Sequence, residues 1–531
     1  MKIVIADPLP SSAVALLLAE GWIVDADTTR SPEALAAALA DADAVIVRSA
    51  TQVDAALLAQ APNLKVVGRA GTGVDNVDLD AASARGILVV NAPGANSVSV
   101  AEHTFALLLA SARAIATADA QMKAGRWEKK RLTGTELRGK TLGIVGLGRI
   151  GREVVHRGRA FGMRAVAYDP YIATQVAADL DVELLELDEL CARADFITLH
   201  VPSAGDRPLF DAARLARCKP TARIINTARG TLIDETALAD AIVRGALAGA
   251  GLDVFETEPP ADSALTRLPE VVATPHIAGS TMEAQELVGL ETATCVRDYL
   301  KSGVVQNAVN YPSLAPVELN RLQPYTLLAR RLGAFLGQVA TTRTETIAIR
   351  YYGDLAEGNN EMLVGATLVG FFGTVLSTHV TPINARSLAK ERGIEIIESR
   401  SSRPRNFTSL ISVKLHTCDG DRWVEGAVFE QAGPRLLLFD GVTVEAPLDG
   451  KLVVIHNSDQ PGVIGDVGTL LGRHGINIAT FALGRSAQGA VAIVKIDCAD
   501  DAADGDGQIT PEVLAEIRAV PAVQQVAVVT L

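Results

Sequence analysis

Runs of four to six apolar residues, bounded by glycine, proline or acidic positions, alternate with Ala- and Leu-rich stretches through the first 280 positions. That alternation predicts parallel strands with helices on both faces. In the first part the predicted strands are 2–6, 44–48, 64–69 and 87–91, and Ser31-Pro32-Glu33 opens a helix with an N-cap and a first-turn proline. A long amphipathic helix follows over about 99–125, centred on Leu107, Leu108 and Leu109 and suited to bridging two domains. A second set of strands is predicted at 142–146, 164–168, 196–201, 223–227, 249–254 and 271–274. A helix over about 281–301 then carries the chain back to the first domain.

The pattern changes after a proline-bearing boundary at 311–316. Over 343–447 it predicts a mixed unit, with strands at 346–352, 409–416 and 423–429 and helices at 361–371 and 384–392. From Lys451 the order becomes strand (452–457), helix (463–474), two strands (478–485, 490–497), helix (511–518) and strand (523–530). That βαββαβ order predicts a ferredoxin-like module. The predicted division is therefore 1–98 with 282–312, then 99–281, 313–448 and 449–531.

Length and charge narrow the picture. A chain of 531 residues exceeds one core and suggests three or four domains. Its 48% hydrophobic and 21% charged residues are those of a globular protein. A net charge of −13 excludes binding to nucleic acid or anionic membrane through bulk electrostatics, so an anionic substrate must be held by local arginines and lysines. The five cysteines, Cys191, Cys218, Cys295, Cys418 and Cys498, contain no CxxC pair and are expected to be buried, reduced thiols of a cytoplasmic protein. The N-terminus MKIVIADPLP reads as a first strand and not as a signal peptide. The most apolar helix, 105–118, is interrupted by Ser111 and Arg113 and is too short to span a bilayer.

The most specific chemistry lies at 141–169: a strand, the turn Gly146-x-Gly148-x-x-Gly151, an amphipathic helix, and a second strand ending in Asp169. Gly146 permits the tight turn, Gly148 lets backbone approach a pyrophosphate, and Gly151 packs the helix closely, with the helix N-terminus facing the phosphates. Asp169, 18 residues beyond Gly151, suits the ribose hydroxyls of NAD and repels the 2′-phosphate of NADP. The expected fold is thus α/β: two doubly wound parallel-sheet domains of Rossmann or flavodoxin type, a mixed α/β domain, and the ferredoxin-like module.

Three later strand ends carry an acid–base set. Asn226-Thr-Ala-Arg229-Gly230 offers a guanidinium for bidentate carboxylate binding, Glu258 follows the next strand, and His276 the one after it. Ligands of doubly wound sheets bind outside the carboxyl ends of the strands, where these three can meet. A carboxylate against imidazole fixes its tautomer and raises its basicity, as removal of a hydroxyl proton during hydride transfer requires.

With those motifs the chain resembles the D-2-hydroxyacid dehydrogenase family in its long, multi-module form. The resemblance rests on Arg69-Ala-Gly-Thr-Gly-Val-Asp-Asn76, Asn96–Thr104, Gly146–Gly151, Asn226–Gly230, Glu258-Pro-Pro and His276–Thr281. It implies His276 as acid/base, Glu258 as its partner and Arg229 as the reader of the substrate carboxylate and carbonyl. It implies NAD contacts at Thr72, Arg149, Ile150, Asp169, Thr227, Asp253, Ala278 and Gly279. Substrate contacts are implied along the Ala70–Asn76 loop, including Gly71 and Asn76, and at Arg48, Arg69, Lys129, Lys130 and Arg131, the last three reaching across a dimer interface or forming a solvated basic turn. The implied substrate is a phosphorylated 2-hydroxy acid, 3-phospho-D-glycerate, in a homo-oligomer, dimer or tetramer. Two other readings stay open: a dehydrogenase for another 2-hydroxy acid such as 2-hydroxyglutarate, and an NAD(H)-sensing binding protein of little catalytic use. Residues 203–210, SAGDRPLF, depart from the family's usual Thr-containing loop.

The C-terminal module resembles an ACT domain through His456–Ile464 and Gly475–Ile478. Asp459 and the helix start after Pro461-Gly462 offer sites for the ammonium and carboxylate of an amino-acid effector, L-serine, with Asn477 contributed by a neighbouring subunit; the alternative is a turn and dimer seam only. No metal site is expected. Asp504-Gly-Asp506-Gly507 suggests part of a calcium loop, yet that register puts Ala502 and Val513 at the first and last ligand positions.

Overall fold

The apolar runs become strands of four sheets in a computed structural model that describes residues 1–203, 207–261, 263–312, 316–340, 342–377, 379–401, 407–429, 433–486, 489–497 and 509–531. Cys498, the calcium-like segment 502–507 and part of the 203–210 loop lie outside the described residues. The first sheet contains β1 (Lys2–Ile5), β2 (Ile23–Asp25), β3 (Ala44–Val47), β4 (Val66–Arg69) and β5 (Leu88–Asn91), parallel and in the order β2-β1-β3-β4-β5. The second contains β6 (Thr141–Val145), β7 (Arg164–Tyr168), β8 (Glu183–Leu184), β9 (Phe196–Leu199), β10 (Arg223–Asn226), β11 (Gly249–Leu252) and β12 (Val271–Ala273). Its order, β12-β11-β10-β9-β6-β7-β8, reverses direction between β6 and β9, and the first sheet reverses between β1 and β3. Those two points open the crevices in which doubly wound sheets bind ligands.

The third sheet is mixed: β13 (Thr344–Gly353) pairs in parallel with β14 (Glu395–Ser401) and antiparallel with β15 (Ser409–Thr417), followed by β16 (Gly420–Phe429), β17 (Gly433–Phe439) and β18 (Val442–Pro447). The fourth, antiparallel, has β19 (Lys451–Asn457), β20 (Ile478–Ser486), β21 (Gly489–Ile496) and β22 (Val523–Thr530) in the order β20-β21-β19-β22, the ferredoxin-like arrangement. Its inner face is not free-standing. Val454, Ile493 and Val529 share one core with Phe335, Phe372 and Phe439 of the preceding unit.

Two differences from the sequence pattern have physical causes. The helix predicted at 99–125 is two, Ser97–Arg113 and Ile115–Lys123, bent by 68° at left-handed Ala114. There Thr135 N–H takes the Ala112 carbonyl at 2.9 Å, a carbonyl that a continuing helix would need. The 24-residue helix Pro316–Val339 rises where the sequence pattern gives only a boundary, because Leu322, Leu328, Leu332, Phe335 and Leu336 form a wholly buried stripe. It lies close against Glu361–Val375: a Cβ on Gly370 would stand 1.9 Å from the Arg330 carbonyl oxygen. Among the described residues no single helix is long and apolar enough to cross a membrane.

Candidate active site

β6 ends in the glycine turn. Gly146 holds φ at +96°, and a Cβ there would stand 2.6 Å from the His200 carbonyl oxygen at the end of β9. A Cβ on Gly151 would lie 2.1 Å from the Gly146 oxygen, whereas one on Gly148 would meet nothing within 4 Å. The open backbone at Gly148, where the helix Arg149–Ala160 begins without a side-chain cap, is a cradle for a phosphate. Asp169 lies beside it, accepting Leu147 N–H and Tyr171 N–H at 2.9 Å each. Its carboxylate thus holds the glycine turn, and the residue stays half-exposed. These features fit a dinucleotide. Ile150 packs into the core below the turn, and the Arg149 guanidinium lies over Gly94.

Of the remaining implied cofactor residues, Thr227, Asp253 and Ala278 are buried, and the others lie partly exposed. The Thr72 hydroxyl donates to Asn96 at 2.9 Å, and Asn96 in turn stands against Gly279. Thr227 bonds to Thr104 of the helix Ser97–Arg113, hydroxyl to hydroxyl, at 2.9 Å. Asp253 is fully buried and is spent on the chain itself: it accepts Thr274 Oγ1 at 2.5 Å, Ile277 N–H at 2.9 Å and Ala278 N–H at 2.8 Å. Burial alone would raise its pKa, but bonds from His103, Thr274, Ile277 and Ala278 outweigh that and hold it below the ordinary carboxylate value. The loop that Asp253 ties down is the one that carries His276, whose φ is +54° and whose N–H donates to the Asp253 carbonyl at 2.8 Å.

His276 Nδ1 lies 2.7 Å from Glu258 Oε2, and Glu258 Oε1 accepts Phe255 N–H at 3.1 Å. An ionised carboxylate only accepts, so the Nδ1 proton is fixed there and Nε2 carries the free lone pair. The imidazole side chain is 54% exposed and accessible to a ligand. Arg229 reaches the same region from the end of β10, held by buried Asn226, whose side chain bonds both the Arg229 carbonyl (2.8 Å) and Ala228 N–H (3.0 Å). A Cβ on Gly230 would stand 1.9 Å from the Phe255 carbonyl carbon, so the loops bearing Arg229 and Glu258 are in contact.

From the first sheet come two more guanidinium groups. Arg69 ends β4, folds over Gly71 and lies 3.4 Å from Asn76 Oδ1. Its pKa is lowered by burial, then by the positive field of Arg229, with Arg48 adding to it. Arg48 follows β3 at the first sheet's switch point, where its N–H meets buried Asp7 at 2.5 Å and its carbonyl accepts Asn76 Nδ2. Its guanidinium has no bonded partner among the described residues. Arg229 Nη2 lies 3.0 Å from Asp75, a 74% exposed carboxylate.

Other expected residues stay apart. Lys129 and Lys130 sit on an exposed turn with no bond to this cluster, and the Arg131 side chain is outside the described residues. Asp459 pairs with Arg485 at 3.2 Å while Asn477 bonds Asp497 at 2.7 Å. Arg485 and Asn477 lie at opposite ends of β20, roughly 26 Å apart at strand rise, so within one chain Asp459 and Asn477 do not share a ligand. Cys191, Cys218 and Cys295 are buried, but Cys418 is exposed, because it lies on the β15–β16 turn. Sequence reasoning also passed over His103, Thr274 and Asp75. His103 and Asp75 stand inside quoted motifs, but nothing in their spacing named their partners.

The three segments match known families. Residues 105–278 match the D-isomer specific 2-hydroxyacid dehydrogenase, NAD binding domain; residues 321–439 the D-3-phosphoglycerate dehydrogenase intervening domain; and residues 451–522 the ACT domain. The chain is 40% identical over 533 residues, 100% of both chains, to a D-3-phosphoglycerate dehydrogenase of Methanocaldococcus jannaschii. It is 43% identical to that of Mycobacterium tuberculosis, covering 94% of this chain and 95% of the other. Among solved structures, the TT0316 protein of Thermus thermophilus superposes with a TM-score of 0.54 at 36% identity, over 58% of this chain and 100% of that one. Escherichia coli D-lactate dehydrogenase does so at 0.52 and 28% identity, over 58% of this chain and 100% of that one. Fold and site together define an NAD-dependent oxidoreductase acting on D-2-hydroxy acids. Within that class the chain belongs to the D-3-phosphoglycerate dehydrogenase family.

Proposed function

We propose that the protein oxidises 3-phospho-D-glycerate to 3-phosphooxypyruvate, the entry step to L-serine synthesis. The observation that carries this reading is that Arg69 lies in the positive fields of Arg229 and Arg48 while the Arg229 loop touches the loop that bears Glu258, the partner of His276, a cationic site suited to a substrate bearing both a carboxylate and a phosphate. NAD, when bound over the glycine turn, supplies the hydride acceptor. Arg229 binds the substrate carboxylate and polarises the reacting oxygen. His276 Nε2 takes the hydroxyl proton, and Glu258 stabilises the resulting imidazolium. Arg48 and Arg69 hold the phosphate end. Asp253 keeps the 274–278 loop, and so His276, in position.

The division into 1–98 with 282–312, 99–281, 313–448 and 449–531 serves this chemistry: substrate unit, NAD unit, intervening unit and ACT unit. The working state is a cytoplasmic homo-oligomer. An amino acid such as L-serine binds the ACT unit, and contact with both Asp459 and Asn477 requires two copies of the chain. Steady-state NAD reduction across a panel of 2-hydroxy acids tests the proposal. Preference for 3-phospho-D-glycerate supports it; preference for 2-hydroxyglutarate, or no turnover with tight NAD(H) binding, overturns it.

A further inference from the structure

A cleft of about 260 Å³ opens where the third and fourth sheets meet, remote in sequence from every residue of the glycine turn and the His276 site. Its floor is apolar: Val339 at the end of the helix Pro316–Val339, Phe439 of β17, Val454 of β19 and Ala527 of β22 share one core face, and Val526 lines the cleft from the edge strand with its side chain in the core on the other face of the fourth sheet. Its polar lining is Arg422, His456, Arg518, Gln524 and Gln525. Arg422 Nη1 lies 2.7 Å from Asp440, and His456 Nε2 is 3.6 Å from the same carboxylate. Burial by itself would raise the Asp440 pKa, but bonds from His456, Trp423 N–H and Arg422 hold it below the usual range, so it is ionised and balances one cation.

Arg518, exposed on the helix Pro511–Ala519, has no ion-pair partner among the described residues. The second face of Arg422 makes only a 3.4 Å contact with Gln525 Oε1, which a better acceptor readily replaces. Among the described residues one positive charge is therefore uncompensated over an apolar floor, in a protein whose net charge is −13. The volume equals about nine water molecules, room for a small metabolite. We infer that this cleft binds a small carboxylate with an apolar body, its acidic group on Arg422 and Arg518 and its hydrocarbon against Phe439, Val454 and Ala527.

The occupant bridges two units. Gln338, next to Val339, exchanges bonds with both the carbonyl and the N–H of Thr530, at 3.0 and 2.9 Å, so the floor of the cleft is the seam between the long helix and β22. Binding there favours the seated arrangement of the fourth unit over any other.

The inference is independent of the catalytic reading, and calorimetry on the full-length protein tests it with 4-methylpentanoate, its neutral amide, and inorganic phosphate. The expected result is binding of the carboxylate at least tenfold tighter than of the amide or of phosphate, weakened about tenfold by Arg518→Gln. Arg518→Gln is the primary variant because Arg518 makes no ion pair or hydrogen bond among the described residues; Arg422→Gln is the second. Binding must persist in Arg229→Gln and Asp459→Ala proteins. Equal binding of carboxylate and amide, equal binding of phosphate, no effect of Arg518→Gln, or loss of binding in either background variant overturns the assignment.

Discussion

His103 Nε2 and Thr274 Oγ1 are 3.0 Å apart, and because the Thr274 hydroxyl gives its proton to Asp253, the imidazole is the donor in that bond. The same ring lies 3.3 Å from Asp253 Oδ1. His103 belongs to the helix Ser97–Arg113, so this helix is tied through Asp253 to the loop that carries His276. Replacing His103 by Ala removes one bond to a charged network, worth about 1.5 kcal/mol or roughly tenfold. The expected outcome is a tenfold fall in kcat with little change in substrate KM, and partial recovery in His103→Gln. A change in KM alone contradicts this positioning role.

His276→Asn is expected to keep NAD affinity and lower turnover by roughly 10²- to 10⁴-fold. Glu258→Gln is expected to lower it less, since Nε2 survives while the imidazolium loses its counter-charge. Turnover within a factor of three of the unmutated protein in His276→Asn removes this residue from the mechanism.

Asp169→Ala is expected to shrink a preference for NAD over NADP, as a carboxylate at the ribose repels a 2′-phosphate. It also frees Leu147 N–H and Tyr171 N–H, so KM for NAD should rise as well. Comparison of kcat/KM for the two cofactors decides it, and equal values in the unmutated protein refute the assignment.

Asp75 occupies one face of the Arg229 guanidinium at 3.0 Å and competes there with a substrate carboxylate. Because Asp75 is exposed, its displacement is cheap. Asp75→Asn should lower the KM for an anionic substrate by a few-fold, and an unchanged or higher KM indicates that the carboxylate helps place the arginine.

Burial depresses the His200 pKa from 6.5 to about 3. Below pH 6.5 the unfolded chain takes up a proton that the folded chain does not, so stability falls with pH until it levels near pH 3. The slope is at most about 1.4 kcal/mol per pH unit. Its Nδ1 has no partner among the described residues to compensate. Thermal unfolding measured from pH 7 to pH 4 should show a shallower loss in His200→Asn than in the unmutated chain, and parallel curves count against the effect.

The glycine turn was legible because its roles depend on backbone at fixed short spacing. The φ of Gly146 and the close approach of Gly151 are local requirements that only glycine meets. The order Arg229, Glu258, His276 was legible because parallel strands bring successive carboxyl ends to one edge. The strands at 395–401 and 433–439 were not, since their burial alternates weakly and they are stabilised by pairing with other strands; the strand at 442–447 does alternate, but over only six residues, and was passed over. By itself the sequence determined the backbone of the dinucleotide turn and the strand ends that bear the reactive groups. Only the tertiary structure decided that Asp253 is buried and spent on the 274–278 loop, that His103 serves it, that Arg69 lies in the positive fields of Arg48 and Arg229, and that Asp459 pairs with Arg485 at the end of β20 remote from Asn477. The physical reason is that these relations are made by packing between segments tens to hundreds of residues apart, where a side chain's chemistry states what it can bind but not which partner the fold brings to it.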